Sequence, residues 1–223
     1  MFKLSTDEVI KSKVVDQLRF DAKVDASDIK VEVDNNKVTL EGSVSSFSGK
    51  TSAEDDAYLI SGVFDVENNL EVEFEVPPAI PTDDEIETRI NNTLLWNTEI
   101  NSQNINVEVE NQWVTLTGDV DSYWKKYLAE NKTLNVRGVV GVTNEIVVVP
   151  TEKVTDEAIA EDIIKAIERN VNVLADNVTV KVEDGKVTLT GEVPSWSAKN
   201  SAFIAASSAW GVKEVENKIL INP

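Results

Sequence analysis

Three separate stretches of the chain place an apolar residue at every fourth position: Ile10, Val14 and Leu18; Ile86, Ile90 and Leu94; Ile159, Ile163 and Ile167. Each trio makes one apolar stripe, the mark of a helix lying on a core. Thr82 and Glu85 have the spacing of a capping box, and Thr6 and Thr155 are N-cap candidates with Asp or Glu in the first turn. After each helix the period changes from four to two. Val31, Val33, Val38 and Leu40 alternate with polar residues, as do Val180, Val182, Val187 and Leu189. Such alternation predicts strands with one buried face. Asn35-Asn36, Asn111-Gln112 and Asp184-Gly185 read as two-residue hairpin turns, which set Val33 against Val38 and Val182 against Val187.

A second helix is predicted after Ser46, Ser122 and Ser195, each a candidate N-cap. Ala53/Ala57, Ala129/Thr133 and Ala202/Ala206 lie one turn apart on it, small enough to let it sit close to a sheet. Gly62, Gly138 and Gly211 are expected to end these helices in a left-handed conformation at C′. A last strand follows, reading LEVEFEV from Leu70 in cleanly alternating order. Its middle counterpart, IVVV from Ile146, is apolar on both sides and is expected to be covered on both faces.

Set Thr6, Thr82 and Thr155 in register and the chain aligns with itself without a gap. Gly42, Gly118 and Gly191 each stand 36 residues after that Thr, inside V-T-L-x-G-x-V. They are read as structural, giving the backbone freedom where the second strand leaves the sheet. A fixed internal repeat decides the architecture. The chain is expected to be α+β, with three tandem small domains. Each runs helix–strand–strand–helix–strand, with two helices on one face of a three-stranded sheet. The domains are placed at 1–75, 76–150 and 151–223, with a proline-marked joint at 75–81 and a second at Pro150 to Val154. Joints this short hold domains close.

Composition narrows the chemistry. Among 223 residues there are 40 acidic and 21 basic side chains, a net charge of −19, which argues against generic nucleic-acid binding. There is no His and no Cys, so imidazole acid–base chemistry, Ser-His and Cys-His nucleophiles, disulfides and the usual zinc ligand sets are excluded. The acidic runs Glu54-Asp55-Asp56 and Asp83-Asp84-Glu85 form no calcium loop and are read as solvated faces. No phosphate-cradling glycine loop is present, and no run of about 18 apolar residues spans a bilayer. The expectation is a non-enzyme without cofactor or metal. It is cytoplasmic as the chain is given, with no signal peptide, or periplasmic if a leader has been removed.

The order of elements, with V-x-V…V-T-L-x-G-x-V and then G-V…V-x-N, resembles the BON domain of bacterial osmotically inducible and nodulation proteins. The residues carrying it are Val31, Val33, Val38, Leu40, Gly42, Val44, Gly62, Val63, Val66 and Asn68, with their equivalents in the other two units. The resemblance implies non-catalytic, stress-associated binding modules with phospholipid surfaces or envelope proteins as partners. The alternative is a protein-interaction scaffold that never touches lipid.

One local anomaly stands out in an acidic protein: Tyr123, Trp124, Lys125, Lys126 and Tyr127 set aromatics beside the densest basic cluster. These residues are candidates for a lipid or partner site, with rings at a headgroup boundary and lysines on phosphates. The alternative reading gives Tyr123 and Tyr127 to the domain interior and the lysines to solvent, since a ring recurs at Phe47 and Trp196. Trp113 replaces Lys37 and Lys186 on the polar sheet face. It is either an interdomain contact, the favoured reading, or a partner-binding hot spot.

Overall fold

The computed structural model describes residues 6–73, 81–169 and 177–222. The first unit contains α1 (Thr6–Phe20), β1 (Ile29–Asp34), β2 (Lys37–Val44), α2 (Phe47–Tyr58) and β3 (Asp65–Val72). The second contains α3 (Asp83–Leu95), β4 (Ile105–Glu110), β5 (Trp113–Val120), α4 (Tyr123–Leu134), β6 (Gly141–Asn144) and β7 (Val147–Val148). The third contains α5 (Asp156–Glu168), β8 (Val178–Glu183), β9 (Lys186–Val193), α6 (Trp196–Ser207) and β10 (Glu214–Ile221). The end of the LEVEFEV stretch and most of the joint before Pro81 lie outside the described residues.

Each sheet is mixed. The hairpin strands pair antiparallel, and the last strand returns parallel to the second, leaving β2, β5 and β9 in the centre. The turns fix the register as the sequence implies: Val33 pairs with Val38, Val31 with Leu40, Val182 with Val187 and Val180 with Leu189. Asn35, Asn36, Asn111, Gln112, Asp184 and Gly185 all have positive φ, the double left-handed step of a type I′ turn. In the middle sheet the third strand is broken, and β6 and β7 continue one another along β5.

The core of each unit lies between the sheet and its two helices. Ile10, Val14 and Leu18 meet Val31, Val38, Leu40, Val44 and Leu70, and the same set recurs around Ile86–Leu94 and Ile159–Ile167. Each fully buried Leu or Ile contributes about 1.5–3 kcal/mol of transfer free energy. Ala53, Ala57, Ala129, Ala202 and Ala206 are fully buried, so the second helix sits close to the sheet.

Two expectations about glycine are corrected. Gly42 does not lie where β2 leaves the sheet; it pairs with Ile29 and Leu70 inside it. Its φ is +116°, and a Cβ there would fall 1.9 Å from the carbonyl oxygen of Asp28, so the chain entering β1 can pass only over a glycine. Gly118 and Gly191 stand in the same way against Asn104 and Asn177. Gly62 is not at C′, because α2 ends with Leu59 as its C-cap. The glycine lies in the following turn at φ +98°, where a Cβ would press on Ile10 of α1 at 3.2 Å. Gly138 and Gly211 lie likewise against Ile86 and Ile159.

The middle strand is also corrected. Ile146 and Val148 point into the core, but Val147 and Val149 are 59% and 55% exposed, so the second face is not covered. The alternation survives with valine on the outer side, where a β-branched residue suits the pleat whether or not it is buried.

Two polar devices repeat in every unit. The carboxylate of Asp7 accepts both turn amides, from Asn35 and Asn36, at 3.1 Å each. Asp83 does the same for Asn111 and Gln112 at 2.8 and 2.9 Å, and Asp156 for Asp184 and Gly185 at 2.8 and 2.9 Å. An aspartate in the first turn of each opening helix thus clips the hairpin to the helix end. In the second device Asn68, Asn144 and Asn217 donate to the carbonyls of Lys50, Lys126 and Lys199, tying the third strand to the second helix.

Candidate functional site

The aromatic–lysine segment opens α4. Ser122 adopts the extended N-cap backbone but makes no side-chain cap bond, unlike Ser46 and Ser195, which accept from Gly49 and Ala198. Tyr123, Trp124, Lys125, Lys126 and Tyr127 are all half-buried. Tyr123 packs against both the second core and the third. Its hydroxyl is pushed above the usual tyrosine range by burial, with Glu130 and, from the third unit, Glu214 adding to the shift. Tyr127 meets Phe203 of α6 edge-on at 5.3 Å between ring centroids, and Trp124 leans on Tyr127 at 5.7 Å. Lys125 reaches back to Asp121 at 2.7 Å.

A second contact joins units that are not neighbours in sequence. Tyr58, at the end of α2, stacks on Trp196, at the start of α6, with centroids 5.5 Å apart and planes 18° from parallel. Aromatic pairs of this geometry contribute about 0.5–1.5 kcal/mol each beyond the area they bury. The third unit's α6 therefore takes a ring from each of the other two, and the helix sides of the domains face one another. The polar residues of the sheets stay exposed or half-buried.

Tyr58 and Phe203 were not anticipated from the sequence. A signal exists for Phe203: the matching positions are Glu54 and Glu130, which accept a second hydrogen bond from Asn68 and Asn144. A phenylalanine in place of that acceptor marks a surface with another use.

Trp113 is held on its own sheet. Its ring lies on its own sheet over Gly141, and its Nε1 donates to Thr143 Oγ1 at 2.9 Å. Half of the residue, 49%, remains exposed. The acidic runs are corrected as well, since only part of each is solvated. Asp83 holds the hairpin clip and Glu85 completes the capping box with Thr82. Asp56 is only 5% exposed, accepting from Gln17 Nε2 at 2.9 Å while its Oδ2 has no partner. Burial pushes its carboxyl above the usual range, Gln17 opposes this, and Asp21 adds to it.

A cleft of about 560 Å³ lies where the chain leaves the second unit, between Val149, Pro150 and Lys153 on one side and Asp184 and Lys213 on the other. Asp156 in its wall is already engaged by the hairpin clip. Among the described residues no group of three or more acidic, His or Cys side chains is placed to hold a metal ion. No described helix is long and apolar enough to cross a membrane.

The sequence model of the BON domain matches residues 6–73, 82–150 and 155–223. The chain belongs to the BON domain family. Its three BON domains coincide with the three sheet-and-helix units, and the family is generally non-catalytic. No curated protein matches the chain. Among solved structures, similarity is found to CdsD, described as a structural protein of the type III secretion system of Chlamydia trachomatis. That likeness has 14% identity and a TM-score of 0.27, covering 97% of this chain and 93% of that one. A second structure, of the CdsD C-terminal domain, gives 14% identity and a TM-score of 0.27 over 99% of this chain and 100% of that one.

Proposed function

We propose that this BON protein is a non-enzymatic scaffold that binds protein partners on its outward sheet faces while its second helices hold the three domains together. The carrying observation is the aromatic joint. Tyr58–Trp196 and Tyr127–Phe203 turn the helix sides inward and leave the sheets as the free surfaces. Weak sites held in a fixed arrangement add through effective concentration, with no strong single pocket needed. Osmotic or envelope stress is the setting that the family suggests.

A second reading has its own observation. BON domains are associated in general with phospholipid binding. Phe20 and Trp96 occupy the same repeat position at the ends of α1 and α3, and they are 84% and 82% exposed. Aromatic rings projecting from helix ends suit a headgroup boundary.

Flotation of the full chain with neutral and anionic vesicles, at low and physiological salt, separates the two. The scaffold reading expects no flotation in any condition. Salt-sensitive flotation that disappears in Phe20→Ser/Trp96→Ser would replace it with the lipid reading. Loss on Trp124→Ala/Lys125→Glu instead would put the lipid site on α4.

A further inference from the structure

The outer faces of the three sheets differ in one respect. In the first domain Lys37 reaches Asp65 at 3.7 Å and Glu67 at 2.8 Å, and in the third Lys186 reaches Glu214 at 2.8 Å. Lys30, Lys181 and Lys218 are likewise paired with acids on their own sheets. On those two faces every strand lysine is already held by a carboxylate of its own sheet. The strands of the middle sheet contain no Lys or Arg at all.

At the position of the lysine the middle sheet has Trp113, and at the positions of its acidic partners it has Gly141 and Thr143. The exchange is concerted. A Cβ on Gly141 would fall 2.4 Å from Cζ3 of the indole, so only glycine lets the ring lie flat, and the bond from Nε1 to Thr143 pins it there. One ring face is down on the sheet and the other is open. Glu110 is paired directly with Trp113 across the hairpin and Glu108 with Thr115 beside it. Both carboxylates are exposed, and neither is in an ion pair among the described residues.

We propose that this face receives an arginine-bearing basic segment of a partner protein, its guanidinium stacked on Trp113 and hydrogen-bonded to Glu110 or Glu108. The proposal rests on the protein-partner reading above and names the partner's chemistry. A flat, tethered indole beside unpaired carboxylates matches a planar cation that stacks on one side and donates in its own plane. A lysine ammonium uses the ring but not the fork. The net charge of −19 draws a basic segment toward the protein, and this face supplies no cation to repel it on arrival.

The test is fluorescence anisotropy of a labelled peptide of alternating arginine and glycine, titrated with the full chain. The comparison set is Trp113→Lys, Trp113→Lys/Gly141→Asp, Glu108→Gln/Glu110→Gln and, as a control, Trp210→Ala, which removes an exposed ring in the turn after α6 of the third domain. The second variant rebuilds the ion pair that the first domain has, so misfolding is not left as an explanation. Binding should weaken about tenfold or more in the three site variants and be unchanged in the control. A lysine–glycine peptide should bind several-fold more weakly than the arginine one. Wild-type binding by both Trp113 variants would overturn the site while leaving the scaffold reading intact, since the peptide would then be sensing net charge alone. Absence of binding by the wild type would also overturn it. If the wild type floated on choline-headgroup vesicles and Trp113→Lys did not, the ring would belong to lipid and both readings would fall.

Discussion

Asp7, Asp83 and Asp156 hold three hairpin turns in one and the same way, whereas the position of Glu54 and Glu130 on the second helix is Phe203 in the third domain. The hairpin end is where the repeats agree, and the clip there is made within each domain. The second helix is where they differ, and Tyr58, Tyr127 and Phe203 on it face a neighbour. Trp113 belongs to the second class on the opposite side of its sheet. In a repeated fold, agreement maps what makes one domain, and disagreement maps what that domain does for the rest of the molecule.

The comparison breaks most easily at the shared positions. Gly118→Ala forces a Cβ to within 1.8 Å of the Asn104 carbonyl oxygen at φ +117°, and the middle domain should lose about 3 kcal/mol or more. Urea denaturation checks this, and an unmoved midpoint would refute the close-approach account. Asp156→Ala leaves the amides of Asp184 and Gly185 without their acceptor and should remove about 2 kcal/mol from the third domain. Hydrogen exchange at those two amides should accelerate together; acceleration at only one would show that the carboxylate does not act as a clip.

Asp56 sharpens the comparison, because the matching positions are Lys132 and Ala205 and its burial is peculiar to the first domain. Its folded pKa lies above its unfolded value, so the folded state binds the proton more tightly. This carboxyl therefore penalises folding at neutral pH, and the penalty fades as pH falls through the folded pKa toward the unfolded value of about 4. Asp56→Asn should stabilise the first domain by about 1 kcal/mol at pH 7, with the advantage shrinking toward acid pH. Thermal melts of both proteins across pH measure it; a constant difference would rule out the titration. Asp55, half-buried beside it, is shifted in the same direction by burial, by Glu54 and by the Asp56 charge itself, so Asp56→Asn relieves both carboxyls in the same sense. The smallest effect belongs to Phe203→Glu, which makes the third domain like the other two. It should cost about 0.5 kcal/mol of joint and speed exchange along α4, while Asn217 gains an acceptor and β8–β10 stay protected. Faster exchange throughout the third domain would mean that Phe203 supports its own core instead.

Much of this fold was legible because its signals are local. The four-residue stripes, the Asn-Asn and Asp-Gly turns and the Thr82–Glu85 box are short-range patterns with short-range causes, and the hairpin register follows from the turn. The IVVV stretch misled because valine reports a strand, not the number of its covered faces. The glycines were read as freedom, but Gly42 is required by a carbonyl arriving from Asp28, which the sequence places 14 residues away. The candidate site was the least legible part. Tyr58 and Trp196 meet across two domains, and no periodicity carries that information. What the sequence did contain was the set of departures from its own repeat, at Trp113 and Phe203.

The stack of Tyr58 on Trp196 has a consequence in time. The two residues are 196 − 58 = 138 positions apart, and synthesis at about 5–20 residues per second separates their emergence by roughly 7–28 s. For that interval the first domain exists beside the ribosome with Tyr58 unmatched. It must be complete in itself, as its separate core allows. The assembly closes only when the last helix arrives, so a nascent chain stalled before Trp196 is close to nine-tenths made and still lacks that clasp.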